Sequence, residues 1–228
     1  MYEKYESPLS SRYASEEMLY LFSQKKRIQV WRRLWTALAR AEHDLGLPIT
    51  AEQVAELEAH IDDIDFACAA QREREVRHDV MAHVYAYGKA APGAAGVIHL
   101  GATSCYVTDN GDLILYRDGL RHLRKELLDV LKNLADFAEK YKSLPTLGYT
   151  HYQPAQLVAV GKRATLWMQD FLSDLEELEK VFSRQGLTDG YLQDRPGPDM
   201  LGTRSGEREN RELLAAARAT YETGEAQR

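Results

Sequence analysis

The stretch 116–141, YRDGLRHLRKELLDVLKNLADFAEKY, decides the fold. Tyr116, Leu120, Leu123, Leu127, Val130, Leu134, Phe137 and Tyr141 recur at alternating spacings of four and three, which places them on one stripe of a helix several turns long. A stripe of this kind is a bundle seam. Downstream, residues 144–154 interrupt the period with two prolines and a glycine, and read as a loop. A second stripe then runs through Leu157, Val160, Ala164, Trp167, Phe171, Leu175, Leu178 and Phe182. It predicts a second long helix, antiparallel to the first. Bundle cores generally take about four helices, so the N-terminal helices or other subunits must supply the rest.

Working upstream, Ser15 followed by Glu16 and Glu17 caps a helix whose inward face is Ile28, Trp31, Leu34, Trp35, Leu38, Ala41 and Leu45, ending at Gly46 and Pro48. Thr50 and Gln53 have capping-box spacing, and Ile49 with Val54 that of a hydrophobic staple, so another helix starts at Ala51. Asp65 caps a further helical stretch that runs through Arg77, His78 and Asp79 and fades near Gly88. Residues 91–104, rich in Gly and Ala, read as a loop. After Gln185 glycines and prolines are scattered among charges and no seam resumes, so the tail is expected to be disordered, with at most a short helix over 211–221. The expected fold class is all-α: an N-terminal helical domain over 1–103, then over 104–184 the first long helices of a helical bundle, truncated, and a divergent tail over 185–228.

The 228 residues are 44% hydrophobic, enough for a core. Acidic residues outnumber basic ones by 35 to 29 and the charges are spread along the chain, leaving no basic stripe for a nucleic acid. The N-terminus lacks the apolar region of a signal peptide, and no apolar run approaches the ~20 residues of a membrane span; the expected location is the cytoplasm, with no membrane partner. Cys68 and Cys105 lack metal-ligand spacing. His78 and His83 stand five apart, not four, and there is no HExxH, no P-loop and no Gly-x-Gly-x-x-Gly fingerprint. No metal and no cofactor are expected.

Four polar segments fall at breaks between helices, where backbone and side chains can converge on a ligand: Arg12-Tyr13, Arg77-His78-Asp79, Gly101-Ala102-Thr103-Ser104 and Thr150-His151-Tyr152-Gln153-Pro154. Thr103 and Ser104 precede a long helix, where hydroxyls and free N–H groups either hold an anion or cap the helix. Arg77 offers a planar fork for a carboxylate, with His78 beside it as a donor; the other reading is a solvated charged face. His151 sits in the loop between the two longest helices, where an imidazole serves as general acid or base, or as a structural hydrogen-bonder. Lys162, after Gly161, is available to an anion.

In order and spacing, the segments RYAS (12–15), RHDVMAH (77–83), IHLGATS (98–104) and THYQPAQ (150–156) resemble the adenylosuccinate lyase family of the fumarase and aspartase superfamily. The resemblance runs from about Ser11 to about Val181. It implies a helical homotetramer with active sites shared between subunits. It also implies β-elimination of fumarate from adenylosuccinate, giving AMP, and from the succinylaminoimidazole carboxamide ribonucleotide of purine biosynthesis. By that resemblance His151 is the general acid. Arg12 and Tyr13 contact the substrate phosphate, Arg77, His78 and Asp79 bind substrate, Thr103 and Ser104 hold the fumaryl carboxylate, and Gln153 and Lys162 lie nearby. The family later carries a mobile serine-bearing loop that supplies the base, and residues 182–228 do not resemble it. The chain therefore reads as a truncated form with impaired activity, or as a non-catalytic form that associates with full-length subunits.

Overall fold

A computed structural model describes residues 5–184. The expectations for the tail, including a short helix over 211–221, lie outside the described residues. The chain divides into two compact units, one reaching to Arg117 and one spanning Asp118–Gln185.

In the first unit a π-helical turn, Leu9–Tyr13, precedes α1 (Glu16–Leu21) and α2 (Gln24–Asp44). The sequence reading had one helix here. The chain instead breaks at Phe22 and restarts on a second serine cap, because the Ser23 hydroxyl accepts from the Lys26 N–H at 3.2 Å just as Ser15 accepts from Met18 at 3.3 Å. The capping box at α3 (Ala51–Ala59) is present in full, with Thr50 and Gln53 each bonding the other's backbone N–H. Ile49 and Val54, the staple pair, are both buried. Asp65 caps α4 (Phe66–Val76). That helix does not continue to Gly88: Arg77 adopts a left-handed conformation and α5 (Asp79–Ala90) starts anew with His78 as its cap. The expected loop over 91–104 contains a 3₁₀ turn, Pro92–Val97, and α6 (Ser104–Lys140) follows.

The core of this unit is the inward face of α2, where Trp31, Leu34, Trp35 and Leu38 pack with Leu57, Val80, Tyr87 and Val107. Gly111 lets α6 approach: a Cβ there would lie 3.1 Å from the Trp31 ring. Polar groups are buried with the apolar ones. Arg32 donates to the His60 and Asp63 carbonyls at 2.6 and 2.9 Å and lies 4.4 Å over the Tyr87 ring. The Tyr87 hydroxyl donates to the Leu57 carbonyl at 2.6 Å, and burial pushes its pKa up to about 12. This network stitches α2, α3, α5 and the 60–64 turn together.

In the second unit the remainder of α6 leads to β1 (Pro145–Thr150), β2 (Gln153–Ala159) and α7 (Val160–Arg184). The proline-interrupted stretch is therefore an antiparallel hairpin, with Thr150 paired to Gln153 and a register shift between Leu147 and Tyr149. Leu157 belongs to β2, not to the second helix, which starts at Val160. Gly and Pro correctly signalled a break in the helical period, but the strands are made by cross-chain hydrogen bonds that no periodicity announces. The two helices run antiparallel: Gly161 at the start of α7 abuts Ala138 in the last turn of α6 and Lys142 just beyond it, and Arg124, midway along α6, pairs with Glu179 near the end of α7. Apart from this small two-stranded sheet, the described chain is helical, as the class expectation required.

Candidate active site

Three predicted segments belong to the first unit. Arg12 and Tyr13 close the π-helical turn, which the Ala14 N–H seals by bonding to the Leu9 carbonyl at 2.8 Å. Both side chains are exposed, Tyr13 by 76%. Their position follows from Ser15, whose capping of α1 ends the turn and sets the direction of the chain.

Arg77 has φ +55° and closes α4 through its N–H to the Glu73 carbonyl at 2.8 Å. A non-glycine residue in this region is strained, and such strain persists where surrounding structure enforces it, often at functional sites. The reversal lets His78 cap α5, its Nδ1 accepting from the Met81 N–H at 3.4 Å. Asp79 accepts from the Val80 N–H at 2.8 Å, and one of its oxygens lies 3.7 Å from His78 Nδ1. A carboxylate in the first turn of α5 suits the positive end of the helix dipole. All three side chains are exposed, so a cation, an imidazole and a carboxylate are displayed on one sharp corner.

The segment 98–104 approaches that corner. His99 has φ +65° and Gly101 φ +61°, and Trp35 Nε1–H donates to His99 Nδ1 at 2.9 Å. The neutral imidazole therefore carries its proton on Nε2. Burial first, and the neighbouring His78 second, hold the His99 pKa below the ordinary histidine range. His78 is thus near enough to act on His99. Thr103 is exposed and Ser104 half-buried at the start of α6, where the Tyr106 N–H bonds to the Thr103 carbonyl at 3.0 Å. His99 lies within the 98–104 segment, but a half-buried, left-handed histidine leaves no mark in sequence spacing.

His151, Gln153 and Lys162 belong to the second unit. His151 and Tyr152 are the two residues of the hairpin turn, with φ +50° and +62°. Two consecutive positive φ values are what a type I′ turn demands, and Asn-Gly normally meets that demand. Here two bulky side chains do so, and the imidazole stands exposed at the hairpin tip. Gln153 begins β2 opposite Thr150, and Lys162 projects from the first turn of α7; both are exposed. Arg163 straps α7 to the hairpin through the Leu147 carbonyl at 2.8 Å.

His83, which the spacing argument had set aside as a metal ligand, is packed edge-on between Trp31 and Phe66 with ring centroids 6.0 and 6.1 Å away. Burial, then Arg32, lowers its pKa, and it serves the core. Among the described residues no group of three or more His, Cys, Asp or Glu side chains could hold a metal ion.

The fold is that of a long-helix protein interrupted by polar corners, and a family model described as "Lyase" matches residues 12–189; the chain belongs to that family, within the fumarase and aspartase superfamily. Its homologues are adenylosuccinate lyases. The chain is 55% identical over 183 residues to the enzyme of Schizosaccharomyces pombe, covering 79% of this chain and 38% of that one. It is 51% identical over 189 residues to that of Saccharomyces cerevisiae, covering 82% and 39%. The chain thus spans about 38% of the length of these relatives. Among solved structures, it resembles a 3-carboxy-cis,cis-muconate lactonizing enzyme from Pseudomonas putida (TM-score 0.71, 26% identity, 92% of this chain and 48% of that one). It also resembles a fumarate lyase from Mesorhizobium sp. BNC1 (TM-score 0.69, 26% identity, 89% and 48%). Among the described residues, no helix is long and apolar enough to cross a membrane.

Proposed function

We propose that this chain carries the proton-donating and substrate-gripping part of a C–N lyase that releases fumarate from adenylosuccinate and from the succinylaminoimidazole carboxamide ribonucleotide, in the purine biosynthesis of the cytoplasm. The observation that carries the reading is His151, held at the tip of a strained two-residue turn within a span that is 55% identical to an adenylosuccinate lyase.

Breaking the C–N bond needs a proton for the departing nitrogen, a base for the carbon acid, and cations or N–H groups for the charge that grows on the carboxylate. His151 supplies the proton. Arg12 and Tyr13 grip the phosphate; Arg77, His78 and Asp79 orient the substrate; Thr103 and Ser104 receive the fumaryl carboxylate, with Gln153 and Lys162 contributing nearby. The base is assigned to the part of the relatives that this chain does not match. General acid or base contributions are typically ~10²- to 10⁴-fold each, so the chain alone turns over negligibly.

Rescue by a full-length subunit in a shared-site tetramer is the complementary reading, and it extends to a modulating role without catalysis. Exposed apolar side chains in the second unit favour association: Leu123, Trp167 and Leu172 are 48, 55 and 41% exposed. The test is fumarate release from adenylosuccinate followed by ultraviolet absorbance. The chain alone should give none above background. Mixed with a full-length lyase whose acid histidine is mutated, it should restore turnover, and its own His151→Gln variant should not. Normal turnover by the chain alone would refute the assignment of the base; no recovery in the mixture would refute the shared-site reading.

A further inference from the structure

A groove of about 710 Å³ opens on the first unit between α4, α5 and the 3₁₀ turn. It has the volume of a small-molecule site. It exists because Gly88 lets the turn come close, since a Cβ there would lie 3.0 Å from the Ala95 Cβ. Its floor is apolar, built from Val76, Met81, Val84 and Pro92. Two cations stand on its lining, and both are organised by one ring: the Arg72 guanidinium lies 4.9 Å and the Lys89 ammonium 5.3 Å from the centre of the Tyr85 ring. Arg72 is paired to Glu75 at 2.8 Å, whereas Lys89 has no carboxylate within ion-pair distance among the described residues. No acidic side chain lines the groove.

We propose that this groove binds a compact organic anion with an apolar body, of the aromatic monocarboxylate class. An apolar floor rewards a ring, and the methionine adapts to its shape. Lys89 supplies an uncompensated positive charge, and its position over Tyr85 reduces the conformational freedom it loses on binding. A neutral ligand of the same shape would forgo the charge, and a small inorganic anion would forgo the floor. The inference does not depend on the lyase reading, although His78 lies at one end of the groove.

The probe is 2-naphthoate, titrated into the whole chain by calorimetry and by carbon-13 methyl NMR of Met81. Saturable binding below 1 mM, on the order of the weak end of small-ligand affinities, with a shifted Met81 methyl signal is expected. 2-Naphthylmethanol should bind at least about tenfold more weakly, as should naphthoate to the Lys89→Gln variant, a tenfold change corresponding to one lost charge-assisted contact. Lys89 is exposed, so the variant should fold, and its unchanged melting temperature is the control. Met81→Trp, which fills the groove, should abolish binding. Absence of saturation, equal affinity for acid and alcohol, or equal affinity of the Lys89 variant and the parent chain would each overturn the proposal. Displacement by AMP would assign the groove to the nucleotide site and overturn it as a separate one; persistence of binding in saturating AMP supports it.

Discussion

Glu42 is fully buried on α2, and neither of its carboxyl oxygens has a hydrogen-bond partner among the described residues. Desolvation raises its pKa from 4.5 to about 8. The folded protein therefore holds Glu42 protonated at neutral pH, while the unfolded chain releases that proton above 4.5. A group whose folded pKa is raised has its full stability below the unfolded pKa and loses it as pH rises through the folded one, here between 4.5 and about 8. One pKa unit is worth about 1.4 kcal/mol, so the loss from this residue between about pH 5 and about pH 7 comes to about 2.5 kcal/mol. Glu42→Gln keeps the shape and removes the titration. The difference in unfolding free energy, variant minus parent, should rise by about that amount over the same two pH units and level off above about pH 8. Urea denaturation followed by the fluorescence of the buried Trp31 and Trp35 measures it, and contributions from other carboxylates cancel in the difference. A difference that stays flat across this range would show that Glu42 is ionised in the fold, and the reasoning from its burial would be refuted.

Other expectations are equally direct. Gly161→Ala would drive a Cβ into the Ala138 carbonyl oxygen; overpacking of this kind typically costs about 1–3 kcal/mol, to be read from the denaturation midpoint. Thr50→Ala removes the hydroxyl half of the α3 capping box, the acceptor for the Gln53 N–H, and should cost about 0.5–2 kcal/mol in the same assay. Trp35→Phe deletes the donor to His99 Nδ1; the tautomer preference should be lost, seen as a change in the His99 ring nitrogen shifts by NMR. His151→Gly should relieve the positive φ of the turn and leave stability equal or higher, while abolishing any rescue of a partner's lyase activity.

Sequence alone settles the helical class, because the stripe over 116–141 has the period of one helix face, although Tyr116, Leu123, Val130 and Phe137 on it remain exposed. It also determined the caps at Ser15, Thr50 and Asp65, since capping is a local bargain between a side chain and an N–H three residues on. The four polar segments were legible as interruptions of the helical pattern, and the lyase family that they resemble is the one to which the chain belongs. Their conformations were not legible. Arg77, His99, His151 and Tyr152 are non-glycine residues at positive φ, a state that each would avoid in isolation and that only the surrounding helices and strands enforce. The hairpin replaced a loop because its hydrogen bonds join residues whose pairing depends on where the chain turns. The buried ionisable groups tell the same story: nothing in the local pattern of α2 distinguishes Arg32 and Glu42 from its exposed polar residues, yet one is met by two carbonyls and an aromatic face and the other, among the described residues, by no hydrogen-bond partner. Side chains distant in sequence decide that difference, and only tertiary packing brings them together.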